Sequence, residues 1–169
     1  MPLGRPAAYG PGASGRLGVV IAVTAALVFL LDAATKWLVQ ARLRPGQSVP
    51  VLPPWLYITY VRNPGMAFGL LPHATWLFVL VAVLVMAAIV VWGQRLARGA
   101  PRVGVALGLL LGGAAGNLLD RLLYGRVVDF LDLRLWSYVF NVADGAIVVG
   151  AVVLGVSFLA GPGGGQRAR

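Results

Sequence analysis

The stretch Gly112–Asp144, GGAAGNLLDRLLYGRVVDFLDLRLWSYVFNVAD, decides how the chain is read. The five acidic residues of the chain are all Asp, and Asp120, Asp129, Asp132 and Asp144 stand here. Asn117 and Asn141 each precede an Asp by three residues. The sequence around this stretch is long, apolar and nearly uncharged. Carboxylates at the ends of hydrophobic helices are costly to desolvate, and a site that needs them is the simplest reason to keep them.

The composition sets the class. Of 169 residues, 59% are hydrophobic and 11% charged, whereas soluble domains run near half apolar and a quarter charged. Several runs reach the roughly 20 apolar residues that cross a bilayer. The reading is a small polytopic membrane protein, all-α in its membrane part, with four transmembrane helices and a small extracytoplasmic sheet. A net charge of +9 would suggest nucleic acid in a soluble chain. Here the basic residues flank apolar spans, as in cytoplasmic loops, and no basic run carries the interleaved aromatics of a single-strand binder. Nucleic acid is not an expected partner. The absence of Cys excludes disulfides, thiol nucleophiles and thiolate metal sites.

In order along the chain, residues 1–16 read as a disordered basic tail, rich in Gly, Pro and Ala. Helix 1 is predicted over about 17–39, longer than the core of a secretory signal. It contains Asp32 and Lys36, four apart with the acid first, the favoured order for an ion pair on one helix face. An extracytoplasmic loop over about 41–74 is broken by Pro45, Pro50, Pro53 and Pro54. Its segment Trp55–Val61 has strand composition and is expected in a small sheet, because a strand cannot lie bare in lipid. A turn at Asn63-Pro-Gly65 follows. Helix 2 is predicted over about 75–94 and helix 3 over about 103–123. Helix 3 carries Gly104, Gly108, Gly112 and Gly116, a ladder that lets another helix approach closely. At its end Asn117, Asp120 and Arg121 share one face. A short excursion over about 124–139 leads to helix 4 at about 140–160, with Asn141 and Asp144 in its first turn, where the macrodipole favours a carboxylate. Residues 162–169 form a second basic tail.

Four spans put both termini on one side. Arg5, Arg16, Arg95, Arg98, Arg102, Arg167 and Arg169 lie in the tails and the loop between helices 2 and 3. Arg42, Arg44, Arg62, Arg126 and Arg134 lie opposite, spread over more residues. The positive-inside bias then makes the termini cytoplasmic, with the Asp-rich end towards the outer face. Trp37, Trp76, Trp92 and Trp136 sit near predicted span ends, as an aromatic belt would.

Elimination narrows the chemistry. His73 is the one His, and no Ser sits in a context like a nucleophile elbow. A zinc site lacks ligands, and no phosphate-binding Gly-rich loop is present. Carboxylate chemistry remains. Two close Asp that share a proton can hydrolyse an amide, one taking a proton from water while the other donates to the scissile carbonyl. An apolar setting helps the pair keep that proton. Asp129, in the loop after helix 3, and Asp144, opening helix 4, can meet if those helices pack side by side. On these grounds alone a peptidase and a small transporter or channel, using Asp32, Lys36 and the Asp cluster as a polar path, weigh about equally.

Five motifs in order resemble those of signal peptidase II, the lipoprotein signal peptidase of bacteria. They are Asp32-Ala-Ala-Thr-Lys36, Asn63-Pro-Gly-Met-Ala-Phe68, Gly112-Gly-Ala-Ala-Gly-Asn-Leu-Leu-Asp-Arg121, Gly125-Arg-Val-Val-Asp-Phe130 and Phe140-Asn-Val-Ala-Asp144. The likeness runs from about Leu31 to Gly155. It implies a monomeric aspartyl endopeptidase of the bacterial cytoplasmic membrane, needing no metal or cofactor. Its substrate would be a prolipoprotein in the surrounding lipid, cut just before a diacylglyceryl-modified Cys. The catalytic pair would match Asp129 and Asp144. Asn117, Arg121 and Asn141 match polar residues lining the site, and Asn63 and Gly65 a loop that contacts substrate. Asp32 and Lys36 match a structural or substrate-side support. Asp120 is the rival for a catalytic role; its neighbour Arg121 suits it instead to an ion pair. Asp132 has no counterpart, and Gly145 stands where the family commonly has Ser or Thr.

Overall fold

The computed structural model describes residues 11–64, 75–98, 100–135 and 137–160. Four helices carry a small sheet at one end: α1 (Pro11–Arg42), α2 (Thr75–Leu96), α3 (Pro101–Tyr124) and α4 (Val142–Leu159). Each is long and apolar enough to cross a membrane. The strands are β1 (Ser48–Leu52), β2 (Leu56–Asn63), β3 (Val127–Leu133) and β4 (Val139–Phe140), joined in the order β1-β2-β3-β4 with every neighbour antiparallel.

α3 is the central post, and glycine explains how. A side chain at Gly108 would fall 2.8 Å from the Ile21 carbonyl oxygen, and one at Gly112 2.5 Å from that of Ala25, so α1 crosses directly over the ladder. On another face, a side chain at Gly113 would meet the Ala143 carbonyl oxygen of α4 at 2.5 Å. A side chain at Gly150 of α4 would meet the Ala106 carbonyl oxygen at 2.8 Å. Small residues thus bring α1 and α4 against two faces of one helix, with van der Waals packing as the binding force. The outer faces are left apolar and exposed, as at Val90 and Val91 of α2 and Val152 and Val156 of α4, the surface a lipid-embedded bundle needs.

Two expectations change. Residues 11–16 belong to α1 and not to a tail, since Pro11 opens the helix, where proline's missing N–H is no loss. The excursion after α3 is not a loop: Gly125, at φ 66, ends the helix and the chain turns straight into β3, which pairs along β2 from Leu56↔Leu133 to Asn63↔Val127. The sheet predicted from Trp55–Val61 is there, and β3 is one of its inner strands. Gly65, His73 and the rest of 65–74 lie outside the described residues, as do Trp136 and both end segments.

Val39 of α1, Tyr60 of β2 and Val128 and Phe130 of β3 form the apolar core that seats the sheet on the bundle. The chain reaches the sheet from the C-terminal ends of α1 and α3 and leaves it into the N-terminus of α4. The end of α3, the start of α4 and β3 therefore converge there.

Candidate active site

The polar residues gather at this junction, and their order follows from the elements. β4 runs directly into α4, and Asn141 is the N-cap: its side chain accepts from the Asp144 N–H at 2.9 Å. Asp144 Oδ2 in return accepts from the Asn141 N–H at 3.3 Å. This reciprocal capping box satisfies two otherwise orphaned donors of the first turn. The capping account of Asp144 is thus correct for one of its oxygens. The other, Oδ1, accepts from Asn117 Nδ2 at 2.7 Å.

Asn141 also reaches β3. Its Nδ2 donates to Asp129 Oδ1 at 2.7 Å and to the Val128 carbonyl at 3.3 Å. Asn63, at the end of β2, donates to Asp129 Oδ2 at 2.9 Å. One asparagine therefore ties Asp129 to Asp144. Asp129 is 2% exposed. Burial, with the neighbouring Asp144 charge adding to it, pushes its pKa up to about 7 against the hydrogen bonds from Asn63 and Asn141 and the Lys36 charge, which pull it down.

Beneath this pair lies a second group. Lys36 Nζ stands 2.7 Å from Asp32 Oδ2, 3.0 Å from Asp120 Oδ2 and 3.1 Å from Asn117 Oδ1. The expected Asp32–Lys36 pair is formed. Asp120 is also ion-paired, but with Lys36 across the helix interface instead of with its neighbour Arg121. Both carboxylates accept backbone donors as well. Asp32 Oδ1 takes the Ala143 N–H at 2.9 Å and Asp120 Oδ2 the Val128 N–H at 3.0 Å. The first holds the opening turn of α4; the second holds the residue before Asp129.

Asn117 joins the two groups. Its Oδ1 accepts from both Lys36 and Asn141 (3.1 Å each), which leaves its Nδ2 to donate to Asp144. The amide orientation is dictated by these neighbours, because a cation beside Nδ2 would find no acceptor. Arg121 donates from Nη1 to the Asn117 carbonyl at 3.0 Å and lies over the Phe78 ring, 5.2 Å from its centroid. It is within electrostatic reach of Asp144, Asp129 and Asp120.

Of the residues singled out in the sequence, Asn63, Asn117, Asp129, Asn141 and Asp144 meet, with Asp32, Lys36 and Asp120 directly behind them and Arg121 at the edge. Asp132 stands apart, accepting from Thr59 at 2.7 Å and pairing with Arg134 at 3.2 Å. A side chain at Gly145 would meet nothing within 4 Å, so this departure from the usual Ser or Thr disturbs no packing. Phe78, under Arg121, carries no sequence signal that marks it out from the other apolar residues of α2.

Two carboxylates held by amide donors, Asp129 buried and Asp144 half-buried, with a proton retained near neutrality on the first, can act as acid and base towards a water. The acids also lie together at the sheet end of the bundle, not strung through its depth as a transport path requires.

Known proteins resemble the chain in sequence and in fold. Residues 24–160 match the family model described as signal peptidase (SPase) II. A lipoprotein signal peptidase of Pelotomaculum thermopropionicum is 52% identical over 134 residues, 79% of this chain and 88% of that relative. One from Moorella thermoacetica is 48% identical over 130 residues, 77% and 86%. A bacterial membrane enzyme structure obtained by the in meso method at 2.3 Å superposes with a TM-score of 0.78 at 30% identity, covering 95% of this chain and 96% of that one. The chain therefore belongs to the signal peptidase II family and is a membrane protease.

Proposed function

We propose that Asp129 and Asp144 are the catalytic pair of an aspartyl endopeptidase that removes the signal peptide from prolipoproteins, cutting just before the diacylglyceryl-modified Cys. The observation that carries this reading is Asp129: buried, held between Asn63 and Asn141, and protonated up to about pH 7 beside Asp144. The lipoprotein signal peptidases it resembles supply the substrate class.

The steps start from the proton on Asp129. Asp144, fixed by its capping box and Asn117, takes a proton from water, whose oxygen attacks the scissile carbonyl carbon. Asp129 donates its proton to the carbonyl oxygen, giving a neutral tetrahedral diol. Collapse of the diol breaks the C–N bond. Asp144 passes its proton to the leaving Cys nitrogen, while a diol hydroxyl returns one to Asp129. Both Asp end as they began, and each proton transfer of this kind contributes about 10²–10⁴ in rate.

In this reading the enzyme works as a monomer in the bacterial cytoplasmic membrane. Its termini are cytoplasmic and the Asp cluster faces the outer side. The diacylglyceryl group keeps the substrate in the bilayer, so enzyme and substrate meet by lateral diffusion, and the sheet flanks the peptide at the outer edge of the bilayer.

The test is cleavage of a diacylglyceryl-modified prolipoprotein by the purified protein beside Asp129→Asn and Asp144→Asn. Loss of cleavage in both, with folding intact, is expected. Retained turnover in either removes that residue from the pair, and no cleavage by folded wild type overturns the reading.

A further inference from the structure

One concavity stands apart from the Asp cluster. A groove of about 360 Å³ runs between the last turns of α1 and the sheet, lined by Leu38, Val39 and Arg42 of α1, Val49 of β1, Ile58 of β2 and Phe130 of β3. It shares no lining residue with the Asp129–Asp144 site. Asp129 turns to Asn63 and Asn141, whereas Phe130, next along the strand, packs with Val39, because neighbours on a strand point to opposite faces.

The walls are apolar apart from Thr35 and Arg42. The Thr35 hydroxyl is already committed to the Leu31 and Asp32 carbonyls at 2.8 and 2.9 Å. Arg42 closes the span Gly15–Arg42, and its guanidinium has no ion pair or hydrogen bond among the described residues. Below it on α1, Leu31, Trp37 and Leu38 are exposed, and beside it on β1 so are Val51 and Leu52. An apolar slot thus opens towards the acyl region, with one unpaired cation at the level where the helix leaves it.

We propose that this groove holds one anionic glycerophospholipid of the surrounding bilayer, an acyl chain against Leu38, Val49 and Phe130 and the phosphate on Arg42. Charge decides the occupant. A diacylglyceryl substrate brings apolar chains but no phosphate, and here it would lie away from Asp129. A free phosphate would leave the apolar walls uncovered. The proposal rests on α1 spanning the membrane, and it stands whether or not Asp129 and Asp144 are the catalytic pair.

Purified protein is incubated with equal amounts of phosphatidylglycerol and phosphatidylcholine of matched acyl chains, and retained lipid is read by native mass spectrometry. Wild type is expected to retain one phosphatidylglycerol about fivefold over phosphatidylcholine, the preference one basic residue gives near a membrane surface. Arg42→Gln abolishes that preference, and Val49→Trp, filling the slot, loses both lipids. Arg44→Gln, outside the lining, keeps the preference. Should Val49→Trp fail to fold, Leu38→Trp gives the same readout from the α1 wall. Equal retention of the two lipids by wild type overturns the proposal, and so does an unchanged preference in Arg42→Gln. Displacement of the bound phospholipid by a diacylglyceryl-modified peptide likewise overturns it, in favour of a substrate site.

Discussion

The molecule gathers two pairs of carboxylates at one junction and treats them differently. Asp32 and Asp120 share Lys36, at 2.7 and 3.0 Å, and each accepts a backbone N–H besides. Asp129 and Asp144 have no cation at ion-pair distance among the described residues. Their side-chain donors among the described residues are the neutral amides of Asn63, Asn117 and Asn141. Amides orient a carboxylate without cancelling its charge, so the second pair lowers its energy by keeping a proton. A lysine placed between two acids makes structure; in the proposed reading, asparagines in its place leave an acid and a base. Asn117, touching Lys36 on one side and Asp144 on the other, transmits the order of the first pair to the second.

The contrast can be broken at several points. Replacing either uncompensated carboxylate has the largest effect on rate. Asp129→Asn and Asp144→Asn should each lower kcat by about 10²–10⁴ or more, in a steady-state assay with both variants checked for folding. Removing the shared cation has the largest effect on stability. Lys36→Met leaves two buried acids unpaired and should cost about 3–5 kcal/mol. The triple variant Asp32→Asn, Lys36→Met, Asp120→Asn should recover most of it. Thermal unfolding in detergent decides this, and a neutral Lys36→Met would show that the first pair is not held by charge.

Asn117→Ala removes the donor to Asp144 and should slow cleavage about ten- to a hundredfold with little change in KM, the equivalent of about 1.5–3 kcal/mol for a hydrogen bond to a charged group. A rise in KM alone would place Asn117 in substrate binding instead. Two glycines give the smallest effects and oppose each other. Gly116→Ala drives a methyl group into Asp32 Oδ2 and should cost about 1–3 kcal/mol. Gly145→Ser enters open space and should stay within about 0.5 kcal/mol of wild type.

How much of this could be read beforehand depends on sequence distance. The Asp32–Lys36 pair is visible because a helix puts residues four apart on one face. The glycine ladder of α3 shows where a helix can approach, though not that α1 is the one that does. Asp144 at a helix start and Asn141 beside it are likewise local. What depends on packing is hidden. Asp120 pairs with Lys36, far away in the chain, and the adjacent Arg121 is the tempting wrong partner. β3 escapes detection because Val127, Val128, Asp129 and Phe130 are all buried, so its strand character leaves no apolar–polar alternation. The double role of Asn141, capping α4 while donating to Asp129, exists only once β3 lies beside α4.

The retained proton also has a sign in stability. Asp129 is raised from 3.8 to about 7 on folding, so the folded state binds this proton more tightly than the unfolded state. The favourable contribution is complete below about pH 4 and is lost as pH rises to about 7. Wild type should therefore lose stability relative to Asp129→Asn across that window, by at most about 4 kcal/mol at 1.36 kcal/mol per unit.

The most direct measurement is infrared difference spectroscopy of the protonated-carboxyl band, recorded from pH 4 to 9 on wild type, Asp129→Asn and Asp120→Asn. A band that titrates near 7, disappears in Asp129→Asn and persists in Asp120→Asn is expected. A band absent at neutral pH would mean that neither pair keeps a proton, and one that survives Asp129→Asn and vanishes with Asp120→Asn would mean that the lysine-bound pair holds it; either contradicts the assignment.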